Sequence, residues 1–290
     1  MATMGFKNTS LPATFSINCG GRLLWLDHPQ VMGILNLTDD SFYAGSRYPD
    51  EKLLLEKAEE MLSAGAAVLD IGGQSTRPGA ALLGAEAEKD KIVPAVRSLL
   101  RHFPDALLSV DTWYAEVARA AAGEGAVIIN DVSAGEMDAD MLGAVAALGV
   151  PYIAMHMQGR PATMQQDPHY DDVVRELLDF FIVKKARCRE AGIGDLIIDP
   201  GFGFGKTLAH NYRLLGHLED FQLLDAPLAA GVSRKSMIYR LLENTPEEAL
   251  NGTTALHMLL LQKGVRLLRV HDVKPAMEVI RLWEFYREQQ

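Results

Sequence analysis

The stretch LIIDPGFGFGKT, residues 196–207, joins an apolar run to a glycine-rich loop through Asp199. An apolar run with a polar end is typical of a parallel strand that is buried on both faces. The loop is not a phosphate-binding P-loop, because only three residues separate Gly201 from Gly205 where that motif has four. Its G-x-G-x-G spacing also differs from the dinucleotide fingerprint G-x-G-x-x-G. The stretch therefore predicts a buried strand whose end serves a purpose other than nucleotide binding.

The same pattern of an apolar run with a polar end recurs along the chain. The runs are VMGILNLT (31–38), VLDIGG (68–73), LLSVDT (107–112), VIINDVS (127–133), PYIAMHMQG (151–159), LIIDPG (196–201), PLAAGVSR (227–234) and LLRVHD (267–272). A helical candidate follows each run, for example 50–65 and 170–192. Strand–helix units without a polar linker predict one α/β domain over 1–290, with a (β/α)8 TIM barrel at about 31–288. A doubly wound sheet with an additional domain is the alternative.

The segment before the first unit, TFSINCGGRLLWL (14–26), alternates around Gly20 and Gly21. This pattern predicts a β-hairpin at the N-terminal end of the barrel.

The composition narrows the functional classes. A net charge of -10 disfavours nucleic acids and anionic membranes as partners. Cys19 and Cys188 lie far apart without histidines at ligand spacing, which indicates a reducing compartment and no structural zinc. The sequence has neither the apolar core of a signal peptide nor the ~20-residue apolar run of a membrane span. We therefore expect a cytoplasmic protein.

Each strand-like run reaches a polar or ionisable side chain near its end. These residues are Asn36, Asp70, Asp111, Asn130, His156, Asp199, Ser233 and His271. The C-terminal ends of barrel strands share one mouth, where barrel enzymes carry their active sites. A helix cap or a turn would explain any one of these residues, but caps usually lie in the loop after the strand. The set therefore favours an active site at the mouth.

Loops and cations at the same end add to this interpretation. The loop at 36–48 is long for a βα connection, and the loop at 72–80 is polar and glycine-rich, so both are candidate lids. In GVSRKSM (231–237), polar residues enter a helix whose N-terminus can hold an anion. Arg269 and His271 are two residues apart and leave the same face of one strand. Because buried unpaired cations are costly, this pair indicates an anion clamp.

Taken in order, the motifs resemble one enzyme family. They are GILNLTDDSF, DIGGQSTRPGA, SVDT, NDVSA, MHMQGRPATMQ, DPGFGFGK, GVSRKS and RVHDV, spread over about residues 31–275. This ordered set closely resembles the dihydropteroate synthases of folate biosynthesis. The resemblance implies condensation of 6-hydroxymethyl-7,8-dihydropterin pyrophosphate with p-aminobenzoate, which gives 7,8-dihydropteroate and pyrophosphate. It also implies a homodimer and the use of Mg2+.

The resemblance further implies roles for residues of this chain. The pterin pocket is formed by Asp111, Asn130, Met155, Asp199, Gly231 and Lys235. The p-aminobenzoate pocket is formed by Thr76, Arg77, Pro78, Phe204, Lys235 and Ser236. Pyrophosphate is held by Asn36, Thr76, Arg269 and His271, and Asn36 is the protein ligand of Mg2+. Catalytic roles fall to Asn36, Lys235, Arg269 and His271, whereas His156 is expected to be structural.

Three positions depart from the family pattern. In the first loop Asp39 replaces a proline and Ala44 replaces an aspartate, and at the second loop Gln74 replaces a commoner glutamate. Asp39 or Asp40 could compensate for the lost aspartate. Two other functions remain as alternatives. A methyltetrahydrofolate-dependent methyltransferase shares the pterin barrel but has no need of the anion clamp, and a catalytically silent pterin-binding relative would tolerate the changed loop.

Overall fold

The structure is a computed structural model that describes residues 15–37, 47–74, 82–161 and 163–290. Its strands are β1 (Ser16–Cys19), β2 (Arg22–Trp25), β3 (Gln30–Asn36), β4 (Val68–Gly72), β5 (Leu108–Asp111), β6 (Ile128–Asp131), β7 (Tyr152–Met155), β8 (Leu196–Asp199), β9 (Leu228–Ala230) and β10 (Val265–Val270). Its helices are α1 (Arg47–Ser63), α2 (Ala85–His102), α3 (Ala115–Gly123), α4 (Met141–Leu148), α5 (Val173–Ala191), α6 (Leu208–Gly216), α7 (Ser236–Tyr239), α8 (Leu250–Gln262) and α9 (Val273–Glu288), with a 3-10 helix at Leu218–Leu224.

Strands β3 to β10 form a closed, parallel eight-stranded barrel. They follow one another around it in chain order, and β10 closes the ring against β3. The (β/α)8 prediction is therefore confirmed, and the doubly wound alternative is wrong. The last strand begins at Val265, two residues before the predicted run, and several other strands are shorter than their runs. No helix among the described residues is long and apolar enough to cross a membrane.

The predicted N-terminal hairpin is also confirmed. Strands β1 and β2 pair antiparallel, with Gly20 and Gly21 at the turn. Ile17, Cys19 and Leu26 are buried. They join one apolar cluster with side chains from the barrel strands, so the hairpin closes one end of the barrel.

The barrel interior is built in layers, because side chains two residues apart on a strand point to the same face. The apolar layer beside the hairpin consists of Met32, Val68, Ile128, Ile153, Ile197, Ala229 and Leu267. Two residues further along the same strands stand Ile34, Asp70, Asn130, Met155, Asp199, Gly231 and Arg269. The chain thus changes from an apolar to a largely polar interior within one step of the pleat, and the polar side is the candidate site.

Candidate active site

A partly buried guanidinium lies in the mouth. Arg269 donates from Nε to Asp70 at 2.6 Å and from Nη2 to Asp111 at 2.7 Å. Asn130 donates its amide to the same oxygen of Asp70 at 2.9 Å. Arg269 is therefore not the unpaired cation that the sequence suggested, because strands β4 and β5 supply its counter-charges. The three strands are held together by charge-assisted hydrogen bonds, which are roughly twice as strong as neutral ones.

The carboxylates of the mouth are strongly affected by burial. Burial raises the pKa of Asp111 to about 7, against the opposing influence of Arg269. Burial also raises the pKa of Asp199, against the opposing influence of Lys235. A buried carboxylate with a raised pKa gains from donors that stabilise its charged form. The mouth is therefore suited to a ligand that presents N–H groups.

Lys235 follows β9, the strand that pairs with β10 of Arg269. Its Nζ donates to the carbonyl of Phe202 at 2.6 Å and stands 4.6 Å from the ring centroid of Phe204, in cation–π contact. Burial lowers the pKa of Lys235 to about 8, while Asp199 opposes this change. The nearby Gly231 has no side chain, and a Cβ there would lie 3.8 Å from the Lys235 Nζ. A flat ligand can therefore approach Lys235 from this side.

An apolar wall adjoins these charges. Met155 and Phe204 are buried and belong to one cluster with Trp113, Val132 and Met164. Met155 is directly beside Asp199 in the register of β7 and β8. The mouth thus combines hydrogen-bonding groups with aromatic and thioether surface, which is the usual make-up of a small-molecule pocket.

His271 and Ser233 connect the ends of β10 and β9. The backbone N–H of His271 donates to the Ser233 hydroxyl at 3.2 Å, and its Nδ1 lies 3.1 Å from the same oxygen. The His271 residue is exposed, yet the protein atoms packed near its imidazole and the positive charge of Arg269 disfavour its charged form and lower the pKa of His271 to about 4. His271 is therefore a neutral imidazole at pH 7 unless an anion joins it.

Asn36 ends β3 and faces the same mouth. It is aligned with Gly72 in the register of β3 and β4, and Gly72 is aligned with Asp111 on β5. A Cβ at Gly72 would lie 3.3 Å from the Asn36 amide oxygen and 3.8 Å from an Asp111 oxygen. The absence of a side chain at Gly72 therefore leaves the two groups facing one space.

Ser236 begins α7, which is only four residues long. It lines a cavity of about 240 Å³ together with Lys206, Asn211 and Arg240. A larger cavity of about 590 Å³ lies near the hairpin end, where Phe15, Arg266 and Trp283 are among its walls. That cavity contains none of the predicted site residues, so volume alone does not locate the active site.

Several predicted features lie outside the described residues. They are Thr76, Arg77, Pro78, Asp39, Asp40 and Ala44. The third departure, Gln74, is described. Its amide donates to Glu88 at 2.5 Å and to the Leu83 carbonyl at 2.9 Å, and its oxygen accepts from the Leu83 N–H at 3.0 Å. A glutamate at position 74 would face Glu88 with like charge, so the amide is the compatible residue here.

His156 lies at a strand end but does not face the mouth. Its imidazole packs edge-on against Phe180 of α5 at 4.9 Å, and its Nδ1 lies 3.1 Å from the Lys206 Nζ. Burial and the Lys206 charge lower the pKa of His156 to about 2. Sequence reasoning assigned no role to Lys206 or to Asp70. Asp70 had a signal, because it ends an apolar run, whereas Lys206 follows a glycine loop and had none.

Fold and site together define an α/β barrel whose mouth is suited to a flat, hydrogen-bonding ligand. A family profile described as pterin binding enzyme matches residues 32–271. The dihydropteroate synthase of Escherichia coli K12 is 46% identical over 267 residues, covering 91% of this chain and 94% of the relative. The chain belongs to the pterin-binding enzyme family and, within it, to the dihydropteroate synthases.

Solved structures agree with this assignment. A Yersinia pestis dihydropteroate synthase in complex with a sulfonamide drug has a TM-score of 0.88 and 43% identity, over 95% of this chain and 100% of the other. A Xanthomonas albilineans dihydropteroate synthase with 4-aminobenzoic acid has a TM-score of 0.87 and 42% identity, over 94% and 98% of the two chains.

Proposed function

We propose that this protein joins 6-hydroxymethyl-7,8-dihydropterin pyrophosphate to p-aminobenzoate, giving 7,8-dihydropteroate and pyrophosphate. The observation that carries the proposal is the mouth itself, where the Arg269–Asp70–Asp111 network lies close enough to Asp199 and Lys235 for Arg269 and Lys235 both to influence the pKa of Asp199. In the reaction the methylene C–O bond breaks, a C–N bond to the aryl amine forms, and the amine loses a proton.

We assign recognition of the pterin to Asp111, Asn130 and Asp199. A pterin edge offers N–H donors and ring acceptors, and buried carboxylates and an amide satisfy them with high discrimination. Met155 would cover one face of the ring, and Gly231 would leave room for its edge beside Lys235. The raised pKa of Asp111 should fall when pterin N–H groups replace the missing hydration.

We assign the aryl amine to the wall formed by Phe204, Lys235 and Ser236. Phe204 supplies apolar surface, and the Lys235 ammonium already stands over its ring. Ser236, at the start of α7, would receive the carboxylate of p-aminobenzoate.

The leaving group is assigned to Arg269 and His271. An aryl amine is a poor nucleophile because its lone pair is delocalised into the ring. The pterin ring nitrogen can instead push electrons toward the methylene as pyrophosphate departs, so the transition state is dissociative and charge grows on the leaving group. Removing one group that stabilises such charge commonly costs on the order of 10²–10³ in rate. Binding of the anion should also raise the pKa of His271 and recruit its charged form.

Asn36 is assigned as the protein ligand of Mg2+. The described residues contain no group of three His, Cys, Asp or Glu side chains that could hold a metal. One neutral amide oxygen fits Mg2+, since this ion retains waters and usually binds through substrate phosphates. When bound, the ion would neutralise negative charge on pyrophosphate. Calorimetry should therefore detect little Mg2+ binding to the free protein and clear binding with pyrophosphate present. Tight stoichiometric binding to the free protein would contradict this assignment.

The proposed reaction is tested by pyrophosphate release with both substrates. Release that requires p-aminobenzoate supports the synthase. Pterin binding without release would indicate a silent relative, and methyl transfer from methyltetrahydrofolate would indicate the methyltransferase. Substrate order is tested by titrating p-aminobenzoate with and without Mg2+ and pyrophosphate. We expect tighter binding in their presence, because the aryl pocket should complete only around the bound anion. Equal affinity would refute ordered assembly.

We also propose that the protein acts as a cytoplasmic homodimer. One surface compatible with a second copy is on α9, where Leu282, Phe285 and Tyr286 are exposed at 66%, 67% and 52%. Clustered exposed apolar side chains often mark protein–protein contacts. Sedimentation of the wild type and of Phe285→Glu tests this arrangement, and a monomeric wild type would contradict it.

A further inference from the structure

Lys206 is a buried cation that the proposed function does not use. It is 3% exposed. Its Nζ lies 3.0 Å from the carbonyl oxygen of Gly201, 3.1 Å from that of Phe204 and 3.3 Å from that of His156. Among the described residues no carboxylate forms an ion pair with it. A buried charge is costly unless it is compensated, and here neutral oxygen atoms and an imidazole nitrogen surround the ammonium.

The curvature of the loop at 201–205 brings these carbonyls together. Gly201 and Gly205 have φ values of 69° and 60°, in the left-handed region that favours glycine. A Cβ at Gly201 would overlap the His156 carbonyl, and one at Gly205 would overlap the Gln158 carbonyl. The loops after β7 and β8 therefore touch backbone to backbone. Carbonyl dipoles that converge on one point repel each other unless a donor or cation lies between them.

The same loop also contacts Lys235 of the proposed site. It presents the Phe202 carbonyl and the Phe204 ring to Lys235, at 2.6 Å and 4.6 Å. Two lysines thus contact one loop, Lys206 through the carbonyls of Gly201 and Phe204, and Lys235 through the Phe202 carbonyl and the Phe204 ring. Of the pterin residues, Asp111 and Asn130 lie on β5 and β6, which do not carry this loop, whereas Asp199 ends β8 and accepts a hydrogen bond from the Gly201 N–H at 2.8 Å.

We infer that Lys206 is a positioning residue for the aryl-amine half of the site. Its ammonium, held by the carbonyls of Gly201, Phe204 and His156, maintains the curvature that places the Phe204 ring and Lys235. This inference rests on the proposed function, since it concerns p-aminobenzoate. Burial lowers the pKa of Lys206 to about 7, while the nearby Asp199 favours the charged form.

The test compares Lys206→Met with Lys184→Met in steady-state kinetics. Methionine keeps the unbranched apolar part of the side chain and removes the ammonium. Lys184 is the matched control, because it is also buried and bonds Glu136 at 2.6 Å beside the Phe180 ring, but lies on the outer helix α5. For Lys206→Met we expect the KM for p-aminobenzoate to rise about 10- to 100-fold, since small displacements of positioning groups have effects of that size. The KM for the pterin pyrophosphate should rise by a clearly smaller factor, because Asp111 and Asn130 are held through Arg269 and Asp70 and not through this loop. Lys184→Met should change neither constant.

Several outcomes of this test would overturn the role proposed for Lys206. An unchanged KM for p-aminobenzoate in a folded, active Lys206→Met protein overturns the inference, as does an equal rise in both KM values. If Lys206→Met does not fold, Lys206→Gln replaces it. Its amide retains some donors, but the neutral and shorter side chain cannot reach all three carbonyls. A rise in the KM for p-aminobenzoate is therefore still expected, and an unchanged KM overturns the inference. Collapse of both variants, with Lys184→Met still folded, would assign Lys206 to stability alone and also overturn the inference. A wild type without condensing activity would instead refute the proposed function.

Discussion

Two layers of the barrel interior lie two residues apart along the same strands, and one is apolar whereas the other is largely polar. On β8, Ile197 is fully buried in the apolar layer beside the hairpin, whereas Asp199 is 5% exposed in the mouth with a raised pKa. On β10 the same step leads from Leu267 to Arg269. Burial therefore stabilises apolar packing in the layer beside the hairpin, whereas in the mouth it shifts the pKa values of ionisable side chains. Substitutions in one layer or the other, each assayed for both stability and activity, therefore test this difference.

The largest effect is expected from Arg269→Met, which removes the guanidinium that Asp70 and Asp111 share. The rate should fall on the order of 10²–10³, because charge on the leaving group loses a partner. Stability should fall by about 3–5 kcal/mol, since the buried Asp70 and the partly buried Asp111 would lose their shared cation. Steady-state kinetics and urea unfolding measure the two effects. Arg97→Met, which removes an exposed two-point pair with Glu124, is the control and should leave the rate unchanged. Wild-type stability in Arg269→Met would contradict the paired arrangement.

The next effect belongs to the apolar layer. Ile197→Ala should lower the free energy of unfolding by about 2–5 kcal/mol, because it removes packed methyl groups and leaves a cavity. The kcat/KM for both substrates should remain near the wild-type value at a temperature where the variant is folded. Urea unfolding and kinetics on the same preparation test this. A large loss of activity without loss of stability would break the distinction between the layers.

Asp199→Ala is the counterpart in the mouth, two residues along the same strand. Removal of the carboxylate that binds the pterin edge should lower kcat/KM, because the transition state loses about 2–4 kcal/mol of stabilisation. Folding should survive, because the residue lies in the mouth. Pterin affinity by calorimetry and kcat/KM are the measurements. An unchanged affinity together with an unchanged rate would remove Asp199 from the site.

The smallest effect concerns the helical ring outside both layers. His257 of α8 is 1% exposed, neither ring nitrogen has a hydrogen-bond partner among the described residues, and burial lowers its pKa to about 4. Because the unfolded state takes up a proton below pH 6.5 and the folded state does not, stability should fall as the pH drops from 6.5 toward 4. At pH 5 this loss amounts to about 2 kcal/mol.

His257→Leu should remove that part of the acid sensitivity, whereas Ile197→Ala should retain it. The free energies of unfolding at pH 5 and pH 7 give the comparison. An equal loss between these pH values in His257→Leu and the wild type would show that His257 is not the source.

The side-chain contacts within the site are the part of it that could not be predicted from the sequence. The sequence placed Asp111 and Arg269 at strand ends, but their ion pair joins residues 158 positions apart. The sequence also suggested that Arg269 was unpaired, and only the closed barrel brings Asp70 and Asp111 to it. Gln74 departs from the family pattern, and only the structure shows the contact with Glu88 that explains the change. Lys206 was not predicted, because nothing local indicates that carbonyls from two loops converge on it.

What the sequence determined by itself was the architecture and the set of reactive side chains. Apolar runs with polar ends specify parallel strands whose ends share one mouth, since the two-residue period and the barrel's strand direction are local properties. What only the tertiary structure decided was the pairing and the charge state of those side chains. Counter-ions, desolvation and carbonyl contacts act through space between distant segments, and they set the raised pKa of Asp111 and the burial of Lys206. Local pattern contains no information on such distances, because they exist only once the barrel has closed.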